Sequence, residues 1–302
     1  MEKQGKVIEK NQGGQLRIRR VERSSGEYPD RLRDLNRMPK ELYVIGSLPR
    51  DDRPSAAIVG ARLCSPYGRT QAYRYARELA AAGVQIISGM ARGVDGCAHR
   101  GALENGGDTW AVLGCGVDIC YPRENRDLYQ DIPRRGGLIS EYPPGRPPLG
   151  SQFPARNRII SALADLVLVV EARERSGSLI TVDFALEQGK TVYAVPGRAG
   201  DPLSVGCNRL IAQGAGIALS PRELLEEWGI TPDKNPLGEE KNNFGLARTG
   251  DMVYSCLSLV PKHLSCIARE AGVTPAEAGT RLLEFVLQGL AQETARNYFV
   301  RK

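Results

Sequence analysis

The sequence predicts a doubly wound α/β protein with a mostly parallel sheet, followed by a small module of helices and a hairpin. Two observations carry that prediction. Between about residues 56 and 219, short runs rich in Val, Ile and Leu alternate with stretches of helical spacing, the pattern of successive βαβ units. Those runs are continuously apolar, so both faces of each strand must be covered, as in a parallel sheet between two helical layers.

Strands are expected at residues 56–59, 84–88, 109–113, 138–140, 166–171 and 192–196. Between the first two, Tyr73, Ala76, Leu79 and Ala80 recur at helical spacing, and Gly83 stands where a C-terminal cap belongs. Further helices are expected over residues 98–105, 158–162, 182–188 and 207–213, giving an extended Rossmann-like domain over residues 27–228. Ahead of it, residues 1–26 carry Lys3, Lys6, Lys10, Arg17, Arg19, Arg20 and Arg23 against Glu2, Glu9 and Glu22, and read as a basic, partly disordered arm. From Tyr28 to Gly46 runs a short preface whose Leu32, Leu35, Leu42 and Val44 would dock on a neighbouring surface.

Residues 229–245 hold Pro232, Asn235, Pro236, Asn242 and Asn243 without hydrophobic periodicity and read as a linker. In residues 246–302, helical patterns at 251–259, 264–271 and 275–287, with a turn at Gly272, precede strand-like pieces at 291–294 and 298–301. That order is a winged helix. Its second helical segment offers Lys262, His263 and Arg269, with Glu270 and Glu277 close by.

The 302 residues, 41% hydrophobic, suffice for a sizeable core, and 41 basic against 35 acidic residues allow a polyanionic partner without requiring one. The seven cysteines are odd in number and include no CxxC pair, which argues against a disulfide framework. With His99 and His263 the only histidines, no His/Cys zinc site of ordinary spacing can be assembled. The polar amino terminus lacks a signal core, and no apolar run approaches the ~20 residues of a membrane span, so a cytoplasmic protein away from membranes is expected.

In a doubly wound sheet the carboxyl ends of the strands share one edge, where ligands bind. The first strand runs into Gly60-Ala61-Arg62, then Ser65, Pro66, Tyr67 and Gly68 ahead of a helix. Glycine lets the backbone approach a phosphate, the helix start offers unpaired N–H groups, and Arg62 adds a planar fork; a plain turn is the alternative for Gly60. The second strand ends in Ser88-Gly89-Met90-Ala91-Arg92-Gly93-Val94-Asp95, where glycines bracketing an arginine suit an anion-binding nest. His99 lies beyond, with no nucleophile nearby, and reads as a structural hydrogen-bonding group rather than a general base. Gly114-Cys115-Gly116-Val117-Asp118 is half of a dinucleotide fingerprint without its third glycine.

Arg156, Asn157 and Arg158, within Phe153-Pro154-Ala155-Arg156-Asn157-Arg158-Ile159-Ile160, put three phosphate- or base-binding side chains on a helix start, with structural salt bridges as the alternative. Glu171-Ala172 closes the strongest strand, and Ser176-Gly177-Ser178 with Thr181 opens the next helix. Several anion-suited loops on one edge point to a row of phosphates, hence a polynucleotide. The expectation is one electropositive trough in which Arg62, Arg92, Arg156 and Arg158 converge. At 6% aromatic residues, backbone contacts would outweigh base stacking.

Together these strings resemble the DNA-processing protein A family (DprA, also called Smf), from about Tyr28 to Leu219 and more weakly from about Asp251 on. The resemblance rests on Tyr28-Pro29, Leu42-Tyr43, Gly46, Ile58-Val59-Gly60, Arg62, Ser88-Gly89, Ala91-Arg92-Gly93, Asp95, Tyr121-Pro122 and Ser140-Glu141. It continues through Phe153-Pro154, Arg156-Asn157-Arg158, Glu171-Ala172, Ser176-Gly177-Ser178, Thr181 and Pro196-Gly197. It implies a non-enzymatic single-stranded DNA-binding protein of natural transformation (competence) and homologous recombination, which protects incoming DNA, helps load the RecA recombinase and forms a homodimer. No cofactor or metal is implied.

Matching positions would place DNA on Gly60, Arg62, Ser88, Gly89, Arg92, Gly93, Arg156, Asn157, Arg158, Ser176, Gly177 and Ser178. The residues before Tyr28 are expected to be too few for the helical SAM-like domain of many members. Two alternatives remain. One is a nucleoside monophosphate phosphoribohydrolase on a related scaffold, although Ser176-Gly177-Ser178-Leu179-Ile180-Thr181 lacks that family's paired glycines. The other is a transcription regulator whose winged helix reads duplex DNA.

Overall fold

The structure is a computed structural model that describes residues 17–33, 35–104, 106–230, 252–258 and 261–301. The chain divides into two compact units, Met1–Lys234 and Asn235–Lys302. Residues 1–16 of the expected arm and most of the expected linker lie outside the described residues.

The first unit is built on strands β1 (Ile18–Glu22), β2 (Glu41–Gly46), β3 (Ser55–Val59), β4 (Gln85–Ser88), β5 (Thr109–Val112), β6 (Gly137–Ser140), β7 (Leu166–Val169), β8 (Thr191–Ala194) and β9 (Gly216–Ile217). Its helices are α1 (Asp30–Arg33), α2 (Pro66–Ala81), α3 (Val94–Glu104), α4 (Arg126–Arg135), α5 (Gln152–Ala162), α6 (Leu179–Glu187), α7 (Val205–Ala212) and α8 (Pro221–Glu227). The strands form one sheet in the order β1-β2-β6-β5-β4-β3-β7-β8-β9. From β6 to β9 every neighbouring pair is parallel, while β2 runs antiparallel to β6 and β1 antiparallel to β2.

The continuous apolar strands bury both faces, as the sequence requires. In β3, Ala57 and Val59 join a core with Val167, Val169, Ile159, Ile160 and Val182. Ala56 and Ile58 face the opposite core, with Leu166, Leu168, Tyr75, Leu79, Val94 and Ala98. Truncating a side chain as enclosed as Ile58, which is 0% exposed, costs about 2–5 kcal/mol. Helix α2 starts where Ser65 accepts a hydrogen bond from the Gly68 amide at 3.1 Å and Pro66 supplies the first-turn φ; Gly83, at φ +84°, follows its end.

At the sheet edge one sequence expectation is corrected and one strand is added. Residues 18–22, part of the expected basic, partly disordered arm, form β1, in register with β2 through Ile18 opposite Ile45 and Val21 opposite Leu42. The preface contains α1 and ends in the strand β2; its Leu32, Leu42 and Val44 are buried in the core with Leu35 packed against them, the docking expected from the sequence. Pairing decided both strands. Arg19 and Arg20, which raised the basic count of the arm, are held by Glu27 at 2.6 Å and Glu41 at 2.7 Å.

The second unit contains α9 (Met252–Ser255), β10 (Lys262–His263), α10 (Leu264–Ala271), α11 (Pro275–Leu287), β11 (Ala291–Ala295) and β12 (Tyr298–Arg301), with sheet order β10-β12-β11. Gly272 ends α10 in the left-handed region at φ +68°, and Thr274 and Glu277 form a capping box at the start of α11. The helix, turn, helix and hairpin appear in the expected order around Ile267, Leu282, Phe285 and Phe299. Lys262 is held by Glu270 at 2.5 Å. No helix among the described residues is long and apolar enough to cross a membrane.

Candidate functional site

The order of the sheet places the site. The chain lays β4, β5 and β6 outward from one side of β3, then returns to add β7, β8 and β9 on the other. The strand order therefore reverses between β3 and β7, and in such sheets a crevice opens beyond the carboxyl ends of the two strands. A cleft of about 460 Å³ lies there. Val59 to Leu63 line it from the end of β3, Arg173 and Arg175 to Ser178 from the loop after β7, and Phe153, Arg156 and Asn157 from α5.

Arg156 forms the buried wall. Its guanidinium donates to the Gly89 carbonyl at 2.7 Å and to the Val112 carbonyl, and its Nε donates to Asn157 Oδ1 at 3.1 Å. A Cβ on Gly89 would collide with that guanidinium, so this glycine makes room for the arginine. Gly93, at φ +74° and pressed against the Ala61 and Arg62 carbonyls, closes the same loop in a conformation that a side chain would strain. Burial, and then the charge of Arg62, pulls the Arg156 guanidinium down to about 10 against the opposing charge of Asp95, so it stays protonated near neutrality. Asp95 is buried too and accepts from the Gly89 and Ala91 amides at 3.2 and 3.4 Å; burial raises its pKa.

The exposed wall is cationic. Arg62, Arg173 and Arg175 are exposed, and none lies within ion-pair distance of a carboxylate among the described residues. Arg62 lies over the Phe153 ring, 5.4 Å from its centroid. Ser176 and Ser178 share a hydrogen bond at 2.8 Å between hydroxyls, and Asn157 donates to the Gly177 carbonyl at 3.2 Å, fixing the turn that opens α6. The cleft thus combines guanidinium forks, a helix start and one aromatic face, a set suited to phosphate and base.

The expected trough is realised in part. Gly60, Arg62, Arg156, Asn157, Ser176, Gly177 and Ser178 line the cleft; Ser88, Gly89, Arg92, Gly93 and Arg158 do not. Ser88 donates to the Ile58 carbonyl at 2.7 Å and ties β4 to β3. Arg92 is paired with Glu124. Arg158 turns to the other side of α5, where Glu141 takes both its Nη groups at 2.7 and 2.6 Å and the Arg37 carbonyl takes its Nε at 3.0 Å. Of the four expected arginines, Arg92 and Arg158 thus lie outside the lining of the cleft, and each is paired with a carboxylate, Arg92 at the exposed surface.

His99 is fully buried, with Nδ1 2.8 Å from the Thr109 hydroxyl, and burial lowers its pKa to about 3. This is the structural role the sequence favoured. Glu171 is likewise enclosed: it accepts from the Ser65 amide and hydroxyl at 2.9 and 2.5 Å and anchors the end of β7 to the start of α2. Among the described residues no cluster of three His, Cys, Asp or Glu could hold a metal.

Arg173 and Arg175 belong to none of the motifs in the sequence, and Phe153 stands there only as part of one. Their signal is position, since both arginines follow a strand at the edge where ligands bind. The half-fingerprint glycine Gly114 also gains an explanation: a Cβ there would stand 2.9 Å from Phe153 Cδ1, so its bareness seats the ring.

Residues 19–229 match the family of DNA recombination-mediator protein A. The chain is similar to Protein Smf of Escherichia coli strain K12, with 40% identity over 276 residues covering 87% of this chain and 72% of that one. It is 43% identical over 201 residues to DNA processing protein DprA of Streptococcus pneumoniae, covering 67% of this chain and 71% of the relative. A solved structure of the DNA processing protein A from Streptococcus pneumoniae has a TM-score of 0.66 at 41% identity, over 70% of this chain and 74% of that one. The DNA processing protein A from Helicobacter pylori, solved to describe its single-stranded DNA binding mode, gives 0.64 at 32% identity, over 70% and 96%. Family match, relatives and fold agree, and the chain belongs to the DNA recombination-mediator protein A family.

Proposed function

We propose that this protein binds single-stranded DNA in the crevice between β3 and β7 and, as a recombination mediator, delivers the strand to a RecA recombinase. The observation that carries the reading is the set of three exposed guanidinium groups, Arg62, Arg173 and Arg175, free of carboxylates at the switch point beside an aromatic ring. Phosphates would lie against these arginines and the Gly60 and Ser176-Gly177-Ser178 backbone, with a base on Phe153. The Helicobacter pylori relative, described by its single-stranded DNA binding mode, supports the same ligand. Arg156, Asn157, Gly89 and Gly93 would act by shaping the wall. RecA delivery and a homodimer through the Rossmann-like unit rest on the family resemblance.

The test is a competition of single-stranded DNA, duplex DNA and AMP against one labelled oligonucleotide over a salt series. Preference for the single strand is expected, with a logarithmic salt slope of about −0.7 for each phosphate neutralised. Displacement by AMP as effective as by the oligonucleotide, or an affinity indifferent to salt, would overturn it. The RecA step is read by strand exchange with and without the protein, and no stimulation would discard it.

A further inference from the structure

The geometry points to Tyr121 as a second base-stacking subsite, in ring contact with Phe153 at the margin of the crevice. This inference rests on the single-strand reading and adds a neighbouring nucleotide to it. The Arg62 guanidinium lies 5.4 Å from the Phe153 centroid, and the Tyr121 ring lies 5.4 Å beyond Phe153 at an interplanar angle of 32°. The spacing is that of ordinary aromatic contact. Phe153 therefore touches both Arg62, with which it lines the cleft, and Tyr121, which is not among the lining residues.

Tyr121 is 43% exposed, a large aromatic surface left facing solvent in a chain with only 6% aromatic residues. Its loop is not loose. The Ile119 amide donates to the Gly116 carbonyl at 3.0 Å, and the Tyr129 hydroxyl to the Val117 carbonyl at 2.6 Å. The Asp118 carboxylate accepts from the Gly145 amide at 2.9 Å, and beyond the tyrosine the Asn125 amide closes on the Pro122 carbonyl at 3.2 Å. The backbone that carries the ring is thus fixed before any ligand arrives, and Phe153 packs against the ring itself, which reduces the ordering entropy of forming a platform on binding.

A phosphate partner stands close in the chain. Arg123, two residues on, is exposed and within ion-pair distance of no carboxylate among the described residues. A strand whose one base stacks on Phe153 could lay the next on Tyr121, with the phosphate between or beyond them meeting Arg123. Stacking accepts any base, so this subsite adds affinity and length without sequence preference.

The experiment measures wild-type, Tyr121→Ala, Tyr121→Leu and Tyr121→Phe against homothymidine oligonucleotides lengthened one nucleotide at a time. The wild type is expected to gain affinity at the length that reaches the second ring. Tyr121→Ala should bind oligonucleotides beyond that length roughly five- to tenfold more weakly and lose the gain, while binding shorter ones equally. Tyr121→Leu, which keeps apolar bulk against Phe153, should lose the same increment, and Tyr121→Phe should keep it. A fluorescent base analogue at that position should be quenched by the wild type and not by Tyr121→Leu. Equal affinities of wild type and both ring-less variants at every length would overturn the subsite while leaving the crevice reading intact. A wild type that binds no single-stranded DNA would overturn both.

Discussion

Arg156 and Arg158 stand two residues apart on α5 and have opposite surroundings. Arg156 points into the wall of the crevice, buried, with backbone carbonyls and Asn157 for partners and Asp95 as its neighbouring charge. Arg158 points away and is gripped by Glu141 through two hydrogen bonds. Arg62, Arg173 and Arg175 form a third case, exposed at the crevice without a carboxylate. The lesson is that a guanidinium's capacity for a phosphate depends less on its motif than on whether the fold already occupies its hydrogen bonds. Arg156 supports the site, Arg158 fastens the scaffold, and the exposed three remain available.

The largest expected effect tests Arg156. Arg156→Ala leaves Asp95 buried without its counter-charge and two carbonyls without a donor, so urea unfolding should show a loss of about 3–5 kcal/mol. A loss indistinguishable from that of an exposed arginine would erase the contrast with Arg62.

The same buried layer contains His99, and acid should expose it. Its folded-state pKa of about 3 lies below the ordinary 6.5. The unfolded chain therefore holds more protons between those values, and stability falls as pH drops through that window. Between about pH 7 and about pH 4 this contributes ~3 kcal/mol of lost stability. Asp95, whose pKa is raised, acts in the opposite sense, so the measurement is the difference between wild type and His99→Gln. Parallel pH profiles for the two would show that the histidine is not sequestered.

Smaller effects belong to the exposed cations. Arg62→Ala and Arg175→Ala should each weaken single-stranded DNA binding by about 1–3 kcal/mol, leave unfolding unchanged, and make the salt slope shallower by about 0.7 for each phosphate no longer neutralised. Titrations at several salt concentrations decide it; unchanged affinity would remove that residue from the interface. The smallest effect concerns Arg158. Arg158→Ala should leave DNA affinity alone, and a double-mutant cycle with Glu141→Ala should report a coupling of about 1 kcal/mol in stability. Weaker DNA binding by Arg158→Ala would return this residue to the binding surface.

Much of the fold was legible before any coordinate. The runs at Ile58, Ile86, Leu138 and Leu168 are apolar on both faces, and only a covered parallel sheet accommodates that. The edge strands β1 and β2 were not legible as strands. Ile18 and Val21 are too few to declare a period in a stretch dense with arginine, and they become a strand by pairing with Ile45 and Leu42. At the crevice, glycine and arginine strings marked loops that line it, but the space beside Gly89 is taken by the Arg156 guanidinium, which no local string reveals. Arg173 and Arg175 carried no motif at all.

The sequence alone determined the alternation of strand and helix, and with it the edge at which functional loops must gather, because hydrophobic period and turn residues act locally. Only the tertiary structure decided which cations on that edge are free. Arg92 is met by Glu124 and Arg158 by Glu141 through residues 32 and 17 positions away. Whether a charge is neutralised is a matter of distance in space, and sequence separation does not fix that distance.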